Sequence, residues 1–225
     1  MRVKVGVLVA LVFAPVAVGQ EVPLSLIESE GVATVDALPG HVDFWLHRRA
    51  EADTLSLATK DALELHDELR EQLQTRNLKH MDLMFSDVAI PNLEPKVAHV
   101  SARIRFNATS FSTAEDGPQE FAALCDTIIE LAAALKCTAE GPILGVTDAD
   151  AVEEAAIARA IEKAYPAGKA AAQTMNGQVV AVDKVTILGT EWNASPDTKA
   201  TQPDIRSMTC TTQVKVVYAF AAAQP

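Results

Sequence analysis

Cysteine, positive charge and long apolar runs are all scarce in this chain of 225 residues, and so are motifs that name a reaction. The three cysteines never fall in C-x-x-C spacing, so a structural zinc site has no sequence support and no metal centre is expected. No G-x-S-x-G elbow, G-x-G-x-x-G turn or phosphate-binding loop is present. The reading is therefore of a protein that is not an enzyme and needs no cofactor. Removing Arg2 and Lys4 from the 19 basic residues leaves 17 against 30 acidic ones, a net charge of about −13. Such a surface repels nucleic acid and anionic lipid, so neither is an expected partner.

The one pronounced apolar run lies at the start. Arg2 and Lys4 precede a short apolar core, Val5 to Phe13, and Ala17-Val18-Gly19 has the small-x-small pattern of a cleavage site. Nine residues are too few to cross a hydrocarbon layer of roughly 30 Å. Residues 1–19 therefore read as a secretory signal peptide. The remaining 20–225 read as a single domain with no transmembrane span, exported to the periplasm or cell envelope, or secreted. An oxidising compartment allows a disulfide. Cys125 and Cys137 are twelve residues apart on one expected helix, which separates them by about 18 Å. A bridge, where one forms, thus joins Cys210 to Cys125 or Cys137; three buried thiols are the other reading. Asn107-Ala108-Thr109 and Asn193-Ala194-Ser195 fit glycosylation acceptors, which matter only in a eukaryotic secretory route.

Along the chain, Leu24 to Asp36 and His41 to Arg49 read as two strands joined at Pro39-Gly40, and this adjacency suggests a hairpin. In the second strand Val42, Phe44 and Leu46 point one way, and His41, Asp43, Trp45, His47 and Arg49 the other. Ala58, Ala62, Leu65, Leu69 and Leu73 form the core stripe of a helix over 53–77, with Asp53 as its N-cap. Strands are expected over 81–90 and 97–107. In the latter, His99, Ser101, Arg103 and Arg105 oppose Val100, Ala102, Ile104 and Phe106. A second helix follows over 116–136, with stripe Phe121, Cys125, Ile128, Ala132 and Leu135. A short strand over 141–146, a third helix capped by Asp148 or Asp150, a strand over 179–188, a polar loop and a last strand over 209–220 complete the chain. The order ββαββαβαββ predicts an α+β fold, with antiparallel or mixed sheets and helices packed on one face.

The third helix, 151–177, carries the most information. Ala156, Ala160, Ala164, Ala167 and Ala171 step by 4, 4, 3 and 4, one face of a close-packed helix rather than filler. Its charges exclude a membrane segment. Pro166 removes a backbone hydrogen bond at a cost of about 3 kcal/mol, so a kink or a break is expected near Tyr165.

These features together resemble the SIMPL-domain family, which includes exported periplasmic immunogenic proteins of Gram-negative bacteria. The family's opening G-x-A-x-V strand is matched by Gly31-Val32-Ala33-Thr34-Val35, with Pro39 following. The strand entry with its early aspartate is matched by 77–82. The alanine-spaced helix ending in K-A and a later glycine, then a valine-rich strand, is matched by Lys169-Ala170 to Gly177 and by Val179 to Ile187. Pro166 and Gly168 interrupt the family's helix, Thr174 replaces an expected alanine, and the K-A to glycine spacing is about one residue short. The resemblance implies an α+β fold of βαβ-type units, an envelope location and assembly into a homo-oligomer. It supplies no catalytic residues.

The remaining candidate surface is the outer face of the two central strands. If they pair, Trp45, His47, Arg49, His99, Arg103 and Arg105 lie together. That face can be a solvated sheet surface, a self-association interface, or a site for an anionic ligand in a binding protein or enzyme.

Overall fold

A computed structural model describes residues 24–91, 93–194, 205 and 207–222. The expected signal peptide and the first residues after it lie outside this range, as does most of the expected polar loop. In chain order the elements are β1 (Leu24–Ala37), β2 (His41–Glu51), α1 (Leu55–Thr75), β3 (Asp82–Phe85), β4 (Val97–Asn107), α2 (Thr109–Thr113), α3 (Gly117–Ala134), β5 (Thr138–Gly145), α4 (Ala149–Thr174), β6 (Gly177–Ala194) and β7 (Met208–Ala222). The fold is α+β, as expected, and every strand pair is antiparallel. Among the described residues the one addition to the anticipated order is the single-turn α2. The chain forms two compact units, each with its own sheet.

One unit runs from β2 to β5 and also takes in Ile205 and Ser207 from later in the chain. Its sheet has the order β3-β4-β2-β5. Val42, Phe44 and Leu46 of β2 and Val100, Ala102, Ile104 and Phe106 of β4 are buried on the inner face. Against them pack Ala58, Ala62, Leu65, Leu69 and Leu73 of α1, the anticipated stripe, together with Ile128, Leu131 and Ala132 of α3 and Leu135 at its end. Each buried leucine contributes about 2–3 kcal/mol relative to exposure. Thr54, rather than Asp53, caps α1, with Oγ1 accepting from the Leu57 N–H at 3.2 Å.

Arg48 continues the inward alternation of β2, so a cation enters the helix layer. It is 6% exposed. Its Nη2 donates to the Leu135 carbonyl at 2.7 Å and its Nη1 to the Asp61 carbonyl at 3.2 Å, and Glu68 supplies the counter-charge. The end of α3 is where carbonyls lack helical partners and where a cation complements the helix dipole.

The other unit joins the two ends of the described chain: β1 with α4, β6 and β7. Its sheet has the order β1-β7-β6. β7 buries Cys210, Thr212, Val214, Val216, Tyr218 and Phe220 on the face that carries α4. The buried stripe of α4 is Ala156, Ala160, Ala164, Gly168 and Ala172. The sequence reading places Ala167 and Ala171 in the last two positions; the ridge instead keeps a step of four throughout. Gly31 and Gly168 show how closely the helix lies. A Cβ on Gly31 would fall 1.9 Å from the Ala160 carbonyl oxygen, and one on Gly168 would fall 2.6 Å from the Tyr218 ring.

Several expectations are corrected. β1 and β2 are not a hairpin: β1 pairs with β7 from Leu24↔Ala221 to Ala37↔Met208, and β2 pairs with β4 and β5. Side-chain volume explains the separation. The small inner residues of β1, Gly31 and Ala33, suit the alanine ridge of α4, whereas Phe44 and Leu46 of β2 suit leucine-bearing helices. The third helix is not broken at Pro166 but runs from Ala149 to Thr174 as one element. Pro166 and Glu162, whose carbonyl loses its partner, are both exposed, so water can take up the orphaned acceptor. The strand expected over 81–90 is regular only to Phe85, with a further bridge at Ala89↔His99. β6 extends well beyond 188, to Ala194. The three cysteines carry free thiols: Cys210 is buried, and Cys125 and Cys137 are half-buried.

Candidate functional site

Antiparallel registration of β2 and β4 builds the outer face of the four-stranded sheet in rows. His41 stands opposite Asn107, Asp43 opposite Arg105, Trp45 opposite Arg103, His47 opposite Ser101, and Arg49 opposite His99. β5 brings Glu140 beside Trp45, and β3 brings Asp82 beside Arg105 and Met84 beside Arg103. All six residues anticipated for this face, Trp45, His47, Arg49, His99, Arg103 and Arg105, are therefore on it.

Their partners are what sequence reasoning missed. Arg105 forms a two-pronged bond to Asp43, Nε to Oδ1 and Nη2 to Oδ2, each 2.7 Å. Arg103 Nη2 donates to Asp82 Oδ2 at 2.6 Å. Arg49 pairs with Glu51 on its own strand at 3.0 Å. His47 lies between Ser101 Oγ, 2.8 Å from Nδ1, and Glu140 Oε2, 3.2 Å from Nε2. A carboxylate only accepts, so in the neutral ring Nε2 carries the proton and Nδ1 accepts from the serine hydroxyl. The Trp45 and His47 rings lie parallel within 4°, with centroids 6.3 Å apart. The signal for Asp43 was in the sequence, since alternation placed it on this face; its cross-strand arginine required the register.

The electrostatics follow from these pairs. Burial opposes ionisation of Asp43, but the hydrogen bond and charge of Arg105 outweigh it and hold the carboxyl below its usual range. The same bond raises Arg105. His41 is held below the usual imidazole value by burial and then by the Arg105 charge. All three arginines of the face thus meet a carboxylate. One donor is left over: Arg103 Nε is buried without a partner.

The other histidines do not join this face. His66 on α1 packs against Phe85, with ring centroids 4.1 Å apart, and the Arg70 guanidinium lies 4.9 Å from the centre of the same phenylalanine ring. His80 Nδ1 lies 3.3 Å from the Leu78 carbonyl oxygen. Among the described residues no group of three or more His, Cys, Asp or Glu side chains is placed to hold a metal ion. Burial raises all three thiols above the ordinary cysteine value. Taken as chemistry, the outer face is a neutralised ionic lattice carrying a tryptophan, with exposed Met84 and Ile143 beside it.

No curated protein matches the chain. The model of the SIMPL family, described as a protein of unknown function (DUF541), matches residues 27–218. That span begins in β1, ends in β7 and takes in both units, so the anticipated resemblance holds over most of the length: this chain belongs to the SIMPL family.

Proposed function

We propose that the chain is an exported cell-envelope protein that acts by self-association rather than by catalysis. The observation that carries this reading is the three-stranded sheet, which leaves β1 and β6 with one neighbour each and exposes apolar side chains along both. Leu24 and Leu26 are about 60% exposed, and Val180, Val182, Ile187 and Leu188 are exposed on β6. Open strand edges are templates for pairing with another chain. Export rests on the basic-apolar-small pattern of residues 1–19. No helix among the described residues is long and apolar enough to cross a membrane. Sedimentation velocity of the purified protein at micromolar concentration tests the assembly, and a strict monomer would count decisively against it. Expression of the full chain in a Gram-negative host, followed by fractionation and N-terminal sequencing, tests export; the expected first residue is Gln20.

A second reading, a ligand-binding protein or enzyme that takes an anionic ligand on the histidine–arginine face, has one observation in its favour, the unpartnered Arg103 Nε. A screen of small anions should then give binding that Arg103→Ala combined with His47→Ala abolishes, and a blank screen removes the reading.

A further inference from the structure

We infer that the self-association proposed above runs through the free edge of β6, which pairs antiparallel with β6 of a second copy about a two-fold axis between Asp183 and Lys184. The segment Val179-Val180-Ala181-Val182-Asp183-Lys184-Val185-Thr186-Ile187-Leu188 is its own complement when read backwards. The extra residue at Asp183 breaks the alternation of β6 and leaves Val182 and Val185, opposite Tyr218 and Val216, on one face, as a two-fold axis requires of residues that face each other. In that register Asp183 faces Lys184 of the other copy twice over, Val182 faces Val185, Ala181 faces Thr186, Val180 faces Ile187 and Val179 faces Leu188. Apart from Ala181 opposite Thr186, apolar side chains meet apolar ones and each acid meets a base, which gives the self-complementarity of an isologous interface.

The side chains are available for it. Asp183 and Lys184 are exposed, and neither makes an ion pair among the described residues. Val180 is 55% and Val182 49% exposed, unusual for valines in a long strand. β6 steps out of register with β7 at Val180, Asp183 and Leu188. Such bulges bend an edge and discourage indiscriminate pairing. Two of them, at Val180 and Leu188, flank the axis almost symmetrically, so a copy with the same bends fits where a straight strand does not.

The alternative edge is closed by packing. α4 lies directly on β1, with the Gly31 backbone against the Ala160 carbonyl. Strands paired along β1 would stand about 4.8 Å apart, whereas the helices above them need about 8–10 Å.

Charge exchange tests the register. Asp183→Lys brings lysines together across the axis, and Lys184→Asp brings aspartates together. Each should weaken the association measured by sedimentation velocity about tenfold or more, and the double exchange D183K/K184D should restore it. Both sites are exposed, and unchanged far-UV spectra and melting temperatures verify that the monomer fold is intact. Association that all three variants leave untouched overturns the β6 pairing while self-association stands. Single losses that the double exchange fails to rescue overturn this register. A wild-type protein that never associates removes both readings.

Discussion

The two units solve the same problem, covering a sheet with helix, with opposite side-chain volumes. In the four-stranded unit leucine, isoleucine and phenylalanine fill the layer, and two long helices are held off the sheet by their side chains. In the three-stranded unit the layer is alanine and glycine on the helix side, and a single helix rests almost backbone to backbone on β1. The first interface gains from buried area; the second gains from close contact, with little area per residue and no slack. Two helices suffice for four strands, but one helix over three leaves β6 thinly covered. That accounts for exposed valines on β6 and not on the inner face of β2.

This contrast predicts mutational responses of opposite kind. Leu69→Ala in the first unit should empty a fully buried site and cost about 2–5 kcal/mol, read as a lower denaturation midpoint at unchanged slope. Gly31→Ala adds one methyl group to the second unit and should cost about 1–3 kcal/mol or more, because the atom it meets is backbone and cannot rotate away. If Gly31→Ala proved neutral, the second interface would have slack and the comparison would fail. A subtler probe is Pro166→Ala. It restores an N–H for the Glu162 carbonyl on the exposed side of α4 and should stabilise by about 1–2 kcal/mol. Destabilisation would mean that the helix needs its proline to follow the sheet.

The units also differ in how much of each was legible in advance. The α1 stripe could be read residue by residue, because large apolar side chains at helical spacing have one explanation. The first three buried positions of α4 were equally plain. Beyond Pro166 the alanines are so dense that Ala167 and Ala171 competed with Gly168 and Ala172, and only contact with Tyr218 decides between them. The partner of β1 was hidden for a different reason. β7 lies at the far end of the chain, and alternation reports which face of a strand is buried, never which strand lies beside it. For the candidate face, membership was legible and chemistry was not. The positions of Arg103 and Arg105 followed from period-two alternation, whereas their carboxylates, Asp82 and Asp43, emerged only with the register. Arg48 was overlooked because an inward charge is improbable until the end of α3 is seen waiting for it.

The smallest effect predicted is also the one most specific to the four-stranded unit. Asp43 has a depressed pKa in the folded chain, so its ionised form is favoured there over the unfolded chain. Its contribution is fully present above the unfolded value of about 3.9 and is lost as pH falls through the lower folded value. His41 acts in the same sense from a higher start. Its folded pKa is also depressed, so stability begins to drop as pH falls below about 6.5, where the unfolded imidazole takes up a proton first. Two steps in the acid limb of a plot of melting temperature against pH are therefore expected. Asp43→Asn should remove the lower step, cost about 1 kcal/mol at neutral pH because Arg105 keeps some solvent, and lower the His41 pKa further by deleting the nearer negative charge. His41→Gln should remove the upper step alone. If Asp43→Asn left the acid limb unchanged, the Arg105 pair would be decoration on a sheet held together from its inner face, and the four-stranded unit would owe its stability to its leucines alone.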